Sequence, residues 1–404
     1  MTHTQTSSID SMCSSLSFPS SSSSPLSSVI SVRDEAFKAA VDDLKTGPRS
    51  LQSLVETATA LIDTFAANEQ ENTFDYNGSK LQLHDVLRAM LYHAEGCGGQ
   101  GGNRYTASAI CLCAVHDDPD NEKTLQMLRD LAKTWVSHLL FIFHITAFHA
   151  TEWNLGARTK YSLNSREREF RKQLLQRDGY RCIVTDSVDE AHPNHQGPYD
   201  VVYELKGCHI IQQAIAIHNS EGDQDVSNSA VTTFDILRNY ASLSPEAIQE
   251  LEDNIEDPYN GILLAVDPRY GFERFQWCLQ ETETRDRYKV KIYGRVYGIH
   301  GMAWTDSKFV EFKDHSEEFR ADKGESLRKR GREIPLPNPC YLRIHAAVAG
   351  ILNMSGAGKF FDELLKKFGR QKGCSAVRSW EGFDRVIETA NLRKELSILM
   401  CPEL

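Results

Sequence analysis

The sequence predicts an α+β protein in which a strand-rich middle lies between helical regions at both ends. Apolar residues recur every three or four positions through most of the stretch from Arg33 to Asn164, which is typical of amphipathic helices. Strand-like segments between Asn260 and Phe312 indicate a sheet, and helical spacing returns after Pro339. The 404 residues are enough for two or three compact units.

Composition divides the chain into four segments. Residues 1–32 are dominated by serine, so they cannot bury enough apolar surface to fold and are predicted to be a disordered tail. Residues 33–164 are predicted to form a helical domain and residues 165–320 a mixed central domain. Residues 321–404 are predicted to contain a basic linker, which includes Leu327–Arg332, and a helical C-terminal region.

The net charge limits how the protein can bind nucleic acid. A net charge of −11 and a pI near 5.7 exclude a protein held to nucleic acid by a general positive field. Any phosphate-binding surface is therefore local. The candidates are the basic linker and a basic segment that contains Arg166, Arg168, Arg171 and Lys172.

Cysteine usage and apolar stretches bear on the compartment. Ten cysteines at irregular spacing include no C-x-x-C pair and follow no apolar leader, so we expect reduced thiols in an intracellular protein, cytoplasmic or nuclear rather than secreted. Trp135–Phe148 is the most apolar stretch, but it is shorter than the roughly 18 residues that span a bilayer and contains His138 and His144. It is predicted to be a buried core helix, no membrane partner is expected, and the oligomeric state is not predicted.

The helical N-terminal region contains a run of glycines. A helix from about Leu81 to His93 is predicted to end in the loop Gly96–Gly102, which formally contains G-x-G-x-x-G. A dinucleotide site requires a strand before such glycines, whereas here a helix precedes them, so a flexible loop is predicted instead. Helices at Tyr105–Val115 and Asn121–Phe148 complete the region.

The central region is predicted to begin with a short helix and a hairpin. The helix starts near Ser165 and stops at Gly179, and a strand is predicted over Cys182–Thr185. A polar segment that contains His192 and His195 follows. No cysteine accompanies the two histidines, so a solvated loop is predicted rather than a zinc site. The return strand is Asp200–Leu205, and later strands are expected at Tyr288–Tyr293 and Lys308–Phe312.

Three polar residues are predicted to cap C-terminal helices. Asn338 precedes the first, Ser355 precedes a helix around Lys359–Phe368, and Ser379 precedes a last helix ending near Leu399.

Three segments of the central region carry a family resemblance. They are Arg177–Thr185 (RDGYRCIVT), Gly207–Ile211 (GCHII) and Asp257–Leu264 (DPYNGILL). Together they resemble the HNH endonucleases, and most closely a large fungal group with R-D-G-Y-x-C, C/A-H-I-I/F and N-x-I/M-L/T-L segments in this order. The resemblance covers roughly Arg166–Tyr293, and segments on both sides, such as Met354–Gly358, are also similar to that group.

The resemblance implies a ββα-metal fold and a function. It implies a metal-dependent endonuclease that hydrolyses phosphodiester bonds in DNA with a divalent ion, Mg, Mn or Zn. His209 would be the general base, a role that suits an imidazole titrating near neutral pH. Asn260 would fix the base and the metal-bearing turn, and Cys208 stands where the superfamily often has a metal ligand.

The sequence departs from the family at the third signature residue. Related sequences have a metal-binding histidine nine residues after the asparagine, whereas this chain has Arg269, which stays cationic and cannot bind a metal. One alternative is an inactive HNH-fold protein that binds nucleic acid or regulates. The other is an active enzyme in which Asp267 supplies a replacement ligand and Arg269 contacts the substrate phosphate.

Overall fold

A computed structural model describes residues 34–115, 118, 121–156, 165–194, 203–212, 215, 224–253, 255–293, 308–319, 333–369, 371, 374 and 377–400. The predicted tail and Leu327–Arg332 lie outside these residues. The described chain mixes helices with small sheets, so the α+β class is confirmed.

The first half of the chain is mainly helical and includes one small hairpin. Its elements are α1 (Glu35–Thr46), α2 (Leu51–Ala66), α3 (Glu69–Asn72), β1 (Thr73–Tyr76), β2 (Ser79–Gln82), α4 (Leu83–Cys111), α5 (Glu122–Trp135), a π-helical turn (Val136–Leu140), α6 (Phe141–Gly156) and α7 (Ser165–Arg177).

The second half carries the remaining strands and the C-terminal helices. Its elements are β3 (Lys206–His209), α8 (Gln224–Tyr240), α9 (Pro245–Asp253), β4 (Gly261–Leu264), α10 (Val266–Glu273), β5 (Trp277–Glu281), β6 (Arg287–Ile292), β7 (Phe309–Glu311), α11 (Pro339–Met354), α12 (Ala357–Phe368) and α13 (Trp380–Met400), with short 3₁₀ turns at Pro258–Asn260 and Ser316–Phe319.

The predicted glycine loop is wrong, because the chain continues there as helix α4. Only Gly98 and Gly99 leave helical geometry, with Gly99 at a φ of +59°. A Cβ on Gly98 or on Gly102 would overlap the carbonyl oxygen of Tyr240 at the end of α8. The glycines therefore allow a close approach of two helices, which no local sequence rule distinguishes from a loop.

The apolar stretch is the buried helical core that was predicted. Among the described residues, one continuous helical stretch, Glu122–Phe148, is long and apolar enough to cross a membrane, and 89% of its most apolar window is buried inside the protein. Its middle is the π-helical turn, where His138 is buried and its Nδ1 lies 3.1 Å from the Ser229 hydroxyl.

The predicted strand over Cys182–Thr185 is also wrong. The Cys182 carbonyl accepts a hydrogen bond from the Asp186 amide at 2.9 Å, so the segment is a tight turn. In the described part of the predicted return strand, residues 203–205, only Tyr203 is paired, in an isolated bridge with Asp189. Strand β3 pairs instead with β4, more than fifty residues later, and helix α10 follows β4 directly.

The later strands are where the sequence placed them. Strand β6 pairs with both β5 and β7, and both pairings are antiparallel, so the three strands form one sheet. Helix α11 packs against both β5 and α4. Buried side chains from the N-terminal, central and C-terminal segments form one continuous cluster, so the three segments share a core.

Two of the three predicted caps, Asn338 and Ser379, are confirmed by their hydrogen bonds, whereas the N-cap of α12 is Gly356 rather than the predicted Ser355. The Asn338 side chain accepts from the Cys340 amide at 2.9 Å, and the Ser379 hydroxyl accepts from the Gly382 amide at 3.0 Å. The Ser355 hydroxyl accepts from the Ala357 amide at 3.2 Å, although Gly356 is the residue at the helix boundary. Such side-chain caps satisfy amides that have no partner within their helix.

Substituting Gly98 with alanine tests the close approach of α4 and α8. We expect Gly98→Ala to lower the free energy of unfolding by about 1 to 3 kcal/mol, because its Cβ overlaps backbone that cannot move cheaply. Gly96→Ala is the matched control, since a Cβ there meets nothing within 4 Å, and it should be neutral or slightly stabilising. Urea unfolding gives both values, and equal effects would contradict the packing described.

Buried His345 predicts a pH dependence of stability. Its ring stacks on Phe272 at 3.7 Å, its Nε2 donates to the Phe272 carbonyl, and burial lowers its pKa to about 3. As the pH falls from about 6.5 towards 3, the unfolded chain takes up a proton that the folded chain does not, so stability is lost.

The His345→Gln variant isolates this contribution. In the same pH range its free energy of unfolding should depend less on pH than that of the wild type, by about 1.4 kcal/mol per pH unit. Denaturant unfolding at several pH values measures both slopes. Identical slopes would show that His345 does not titrate as described.

Candidate functional site

The predicted site residues lie where β3, β4 and α10 meet. In the antiparallel pair, Cys208 is opposite Ile262 and His209 is opposite Gly261. Successive side chains of a strand point to opposite faces of a sheet. Cys208 and His209 are therefore presented to different neighbours.

Helix α7 covers the face of the antiparallel β3–β4 pair that carries Gly207 and Gly261. A Cβ on Gly207 would lie 3.1 Å from the Phe170 ring, and a Cβ on Gly261 would overlap the same ring. Phe170 also stacks on His209, with ring centroids 4.4 Å apart and an interplanar angle of 4°. Because both positions are glycines, the Phe170 ring can lie flat on the β3–β4 pair and stack on the His209 imidazole.

His209 is a half-buried, neutral imidazole. Burial and, to a smaller extent, the positive charge of Arg269 together lower its pKa to about 4. The expectation of an imidazole that titrates near neutral pH is therefore wrong. Its Nε2 is buried and makes no hydrogen bond within the part of the chain that the structure describes.

Cys208 faces α10 and is a buried thiol. Its Sγ lies 3.9 Å from Oε1 of Glu273, and burial raises the pKa of the thiol well above its usual value, with the Glu273 carboxylate acting in the same direction. A metal ligand must be a thiolate, so this environment opposes the ionised form that metal binding requires.

Arg269 forms an ion pair with Glu273 one helical turn further along α10. Its Nε donates to Oε1 of Glu273 at 2.7 Å, and the side chains are 20% and 4% exposed. Burial acts to lower the pKa of Arg269, but Glu273 and Cys208 outweigh it, so the guanidinium pKa is raised. Arg269, which was predicted to contact a substrate phosphate, is therefore already paired with a carboxylate of its own chain.

Asn260 bridges two backbone segments rather than facing an open cavity. Its Oδ1 accepts from the Ile211 amide at 2.9 Å, while its Nδ2 donates to the carbonyls of Ile211 at 3.0 Å and Ile255 at 2.8 Å. The side chain is fully buried. Asn260 thus fixes the chain that leaves β3 just after His209, as a positioning residue.

Asp267, the predicted replacement ligand, does not join this cluster. Asp267 is exposed in the first turn of α10. His192 packs on Tyr180 and Phe319, and His195 lies outside the described residues. Within the described ranges, no group of three or more His, Cys, Asp or Glu side chains is placed to hold a metal ion.

The predicted basic patch on α7 is partly used internally. Arg171 donates to the carboxylate of buried Asp189 and to the Leu205 carbonyl, both at 2.9 Å. Lys172 pairs with Glu169 at 3.4 Å. Helix α7 therefore offers fewer cations to an external phosphate than its sequence indicates.

The arginine and aspartate of the first resemblance segment are a buried structural pair. Arg177 binds both carboxylate oxygens of Asp178, at 2.7 and 2.9 Å, and neither side chain is more than 3% exposed. The same guanidinium donates to the carbonyls of Pro258, Gly261 and Pro335. The pair joins the end of α7 to the start of β4 and to the segment before α11.

Sequence reasoning missed Glu273, Phe170 and the role of Arg177. Glu273 could have been found, because it stands four residues after Arg269 on a helix, the spacing at which opposite charges meet. Phe170 lies in a highly charged segment, and nothing local indicates that it contacts His209.

Comparison of the chain with models of known protein families, with curated proteins and with solved structures finds no match.

The buried arginine gives a stability prediction. Arg177→Lys keeps the charge but cannot bind the carboxylate and three carbonyls together, so we expect the free energy of unfolding to fall by about 2 to 4 kcal/mol. Arg181→Lys is the matched control, because Arg181 is about half exposed and pairs with Asp186 at the surface, and it should change stability by less than about 0.5 kcal/mol. Denaturant unfolding measures both, and a neutral Arg177→Lys would contradict the role given to this pair.

Proposed function

We propose that the chain is a catalytically silent relative of the HNH endonucleases, which keeps the two-strand-and-helix scaffold and serves a binding or regulatory role. The observation that carries this proposal is the Arg269–Glu273 ion pair beside Cys208. A guanidinium stands at the position where the family has a metal-binding imidazole.

The HNH part of the proposal is supported by the arrangement of the signature positions. His209 ends β3, Asn260 directly precedes β4, and residue 269 lies on the helix that follows. The Arg269 charge is close enough to lower the His209 pKa, and Asn260 holds the backbone next to His209. His209 and the segment from Asn260 to Arg269, which are about fifty residues apart in sequence, therefore act on one small region.

The residues present do not fit a catalytic divalent ion. Cys208 is a protonated thiol in buried surroundings, Asp267 is exposed, and Arg269 brings a positive charge to the same cluster. A divalent ion would have to approach that charge and displace it from Glu273.

The environment of His209 also suits a silent site. A general base works best when its pKa lies near the working pH, and a pKa of about 4 makes the imidazole a weak base. Phe170 covers one face of the ring.

One observation favours the active alternative, a metal-dependent endonuclease that acts on DNA. His209 Nε2 is neutral and without a hydrogen-bond partner among the described residues, which is the state in which a base receives a proton. In that alternative His209 is the base, and Mg, Mn or Zn is the cofactor.

A plasmid assay separates the two. We expect purified protein to leave supercoiled DNA intact with magnesium, manganese or zinc, and His209→Ala, prepared in the same way, to behave identically. Metal-dependent nicking that His209→Ala abolishes would establish the endonuclease and overturn the silent assignment. Nicking that both proteins share would be a contaminant, and an added nuclease shows that the plasmid is cleavable in each buffer.

A further inference from the structure

Two potential metal donors face each other between β3 and α10. Cys208 lies on the strand and Glu273 on the helix, and the Cys208 Sγ and the Glu273 Oε1 are 3.9 Å apart. Both side chains are almost fully buried, at 1% and 5% exposure. Two different elements therefore hold this sulfur–oxygen pair in place.

The spacing of this pair is close to that in a zinc site. A thiolate about 2.3 Å and a carboxylate oxygen about 2.0 Å from a tetrahedral zinc ion lie about 3.5 Å apart. The observed distance differs from this by a few tenths of an ångström. The pair requires only a small movement to bind one ion together.

Arg269 occupies the region where such an ion would lie. Its Nε is 2.7 Å from the same Glu273 oxygen that is nearest to Cys208. The guanidinium thus uses the carboxylate oxygen that a metal would need, and it repels any second cation. Residues 269 and 273 are one helical turn apart, so a side chain at 269 is directed to the same face as Glu273.

We infer that Arg269 is the residue that excludes a transition-metal ion from the Cys208–Glu273 donor pair, and that histidine at this position is sufficient to open a zinc or cobalt site. This inference rests on the proposed function, because it treats Arg269 as the replacement for the cation of the ββα unit. In the Arg269→His variant, the ion would bind the Glu273 oxygen that Arg269 holds in the wild type, the Cys208 thiol would lose its proton to solvent, and the new imidazole would be the third ligand.

Cobalt titration of the full-length Arg269→His variant tests the inference. Thiolate ligation produces a sulfur-to-cobalt charge-transfer absorption, so the signal reports Cys208 directly and requires no enzymatic activity. We expect this band in Arg269→His with an affinity about 100-fold or more above that of the wild type. Zinc added afterwards should displace the cobalt and remove the band.

Three further variants locate the ligands. Arg269→Lys keeps a cation at the position and should bind no better than the wild type. Arg269→His with Cys208→Ala should lose the sulfur band. Arg269→His with Glu273→Gln should bind about tenfold or more weakly than Arg269→His alone.

The outcomes that would overturn the inference are specific. They are equal cobalt affinity in the wild type and Arg269→His, or binding by Arg269→His that produces no sulfur band. Circular dichroism with and without zinc monitors folding. A variant that folds only with zinc supports the inference, and one that folds in neither condition counts against it. His209-dependent nicking by the wild type would instead overturn the proposed function, so the two failures are distinguishable.

Discussion

The central region depends on a buried ion pair between adjacent residues, Arg177 and Asp178. A charge without a partner at this depth is strongly unfavourable, so each group of the pair must be satisfied where it lies. The guanidinium supplies donors to three carbonyls, and Asp178 Oδ2 also accepts from the Leu263 amide in β4 at 3.1 Å. The pair therefore sets where β4 lies against α7, and with it the position of the strand that pairs with β3.

The position of β4 against α7 gives the site two environments, one on each face of the β3–β4 pair. On one face of the β3–β4 pair, the glycines let Phe170 pack against His209. This packing shields the imidazole from water and keeps it neutral. On the other face, Cys208 meets the Arg269–Glu273 pair. Under the proposed relationship to the ββα-metal nucleases, this internal cation and carboxylate take the place of the ion that would join strand and helix, and the carboxylate oxygen nearest to Cys208 is already bound by the guanidinium.

Local signals in the sequence were sufficient for some features and not for others. The strands after Asn260 and the caps at Asn338 and Ser379 follow from patterns within a few residues. The glycine run in α4 was misread because its purpose is a contact with Tyr240, about 140 residues away. The role of Arg177 was missed for the same reason, since its partners are distant backbone carbonyls. Contacts between elements that are distant in sequence determine both features. The spacing of residues along the chain does not indicate such contacts.

Anomalous diffraction from wild-type crystals soaked in manganese or zinc tests the central claim, that Arg269 stands in place of a metal, most directly. We predict no anomalous peak between Cys208 and Glu273, with the Arg269 guanidinium bonded to the carboxylate. A peak at bonding distance from the Cys208 sulfur or the Glu273 carboxylate, with Arg269 displaced, would contradict the claim.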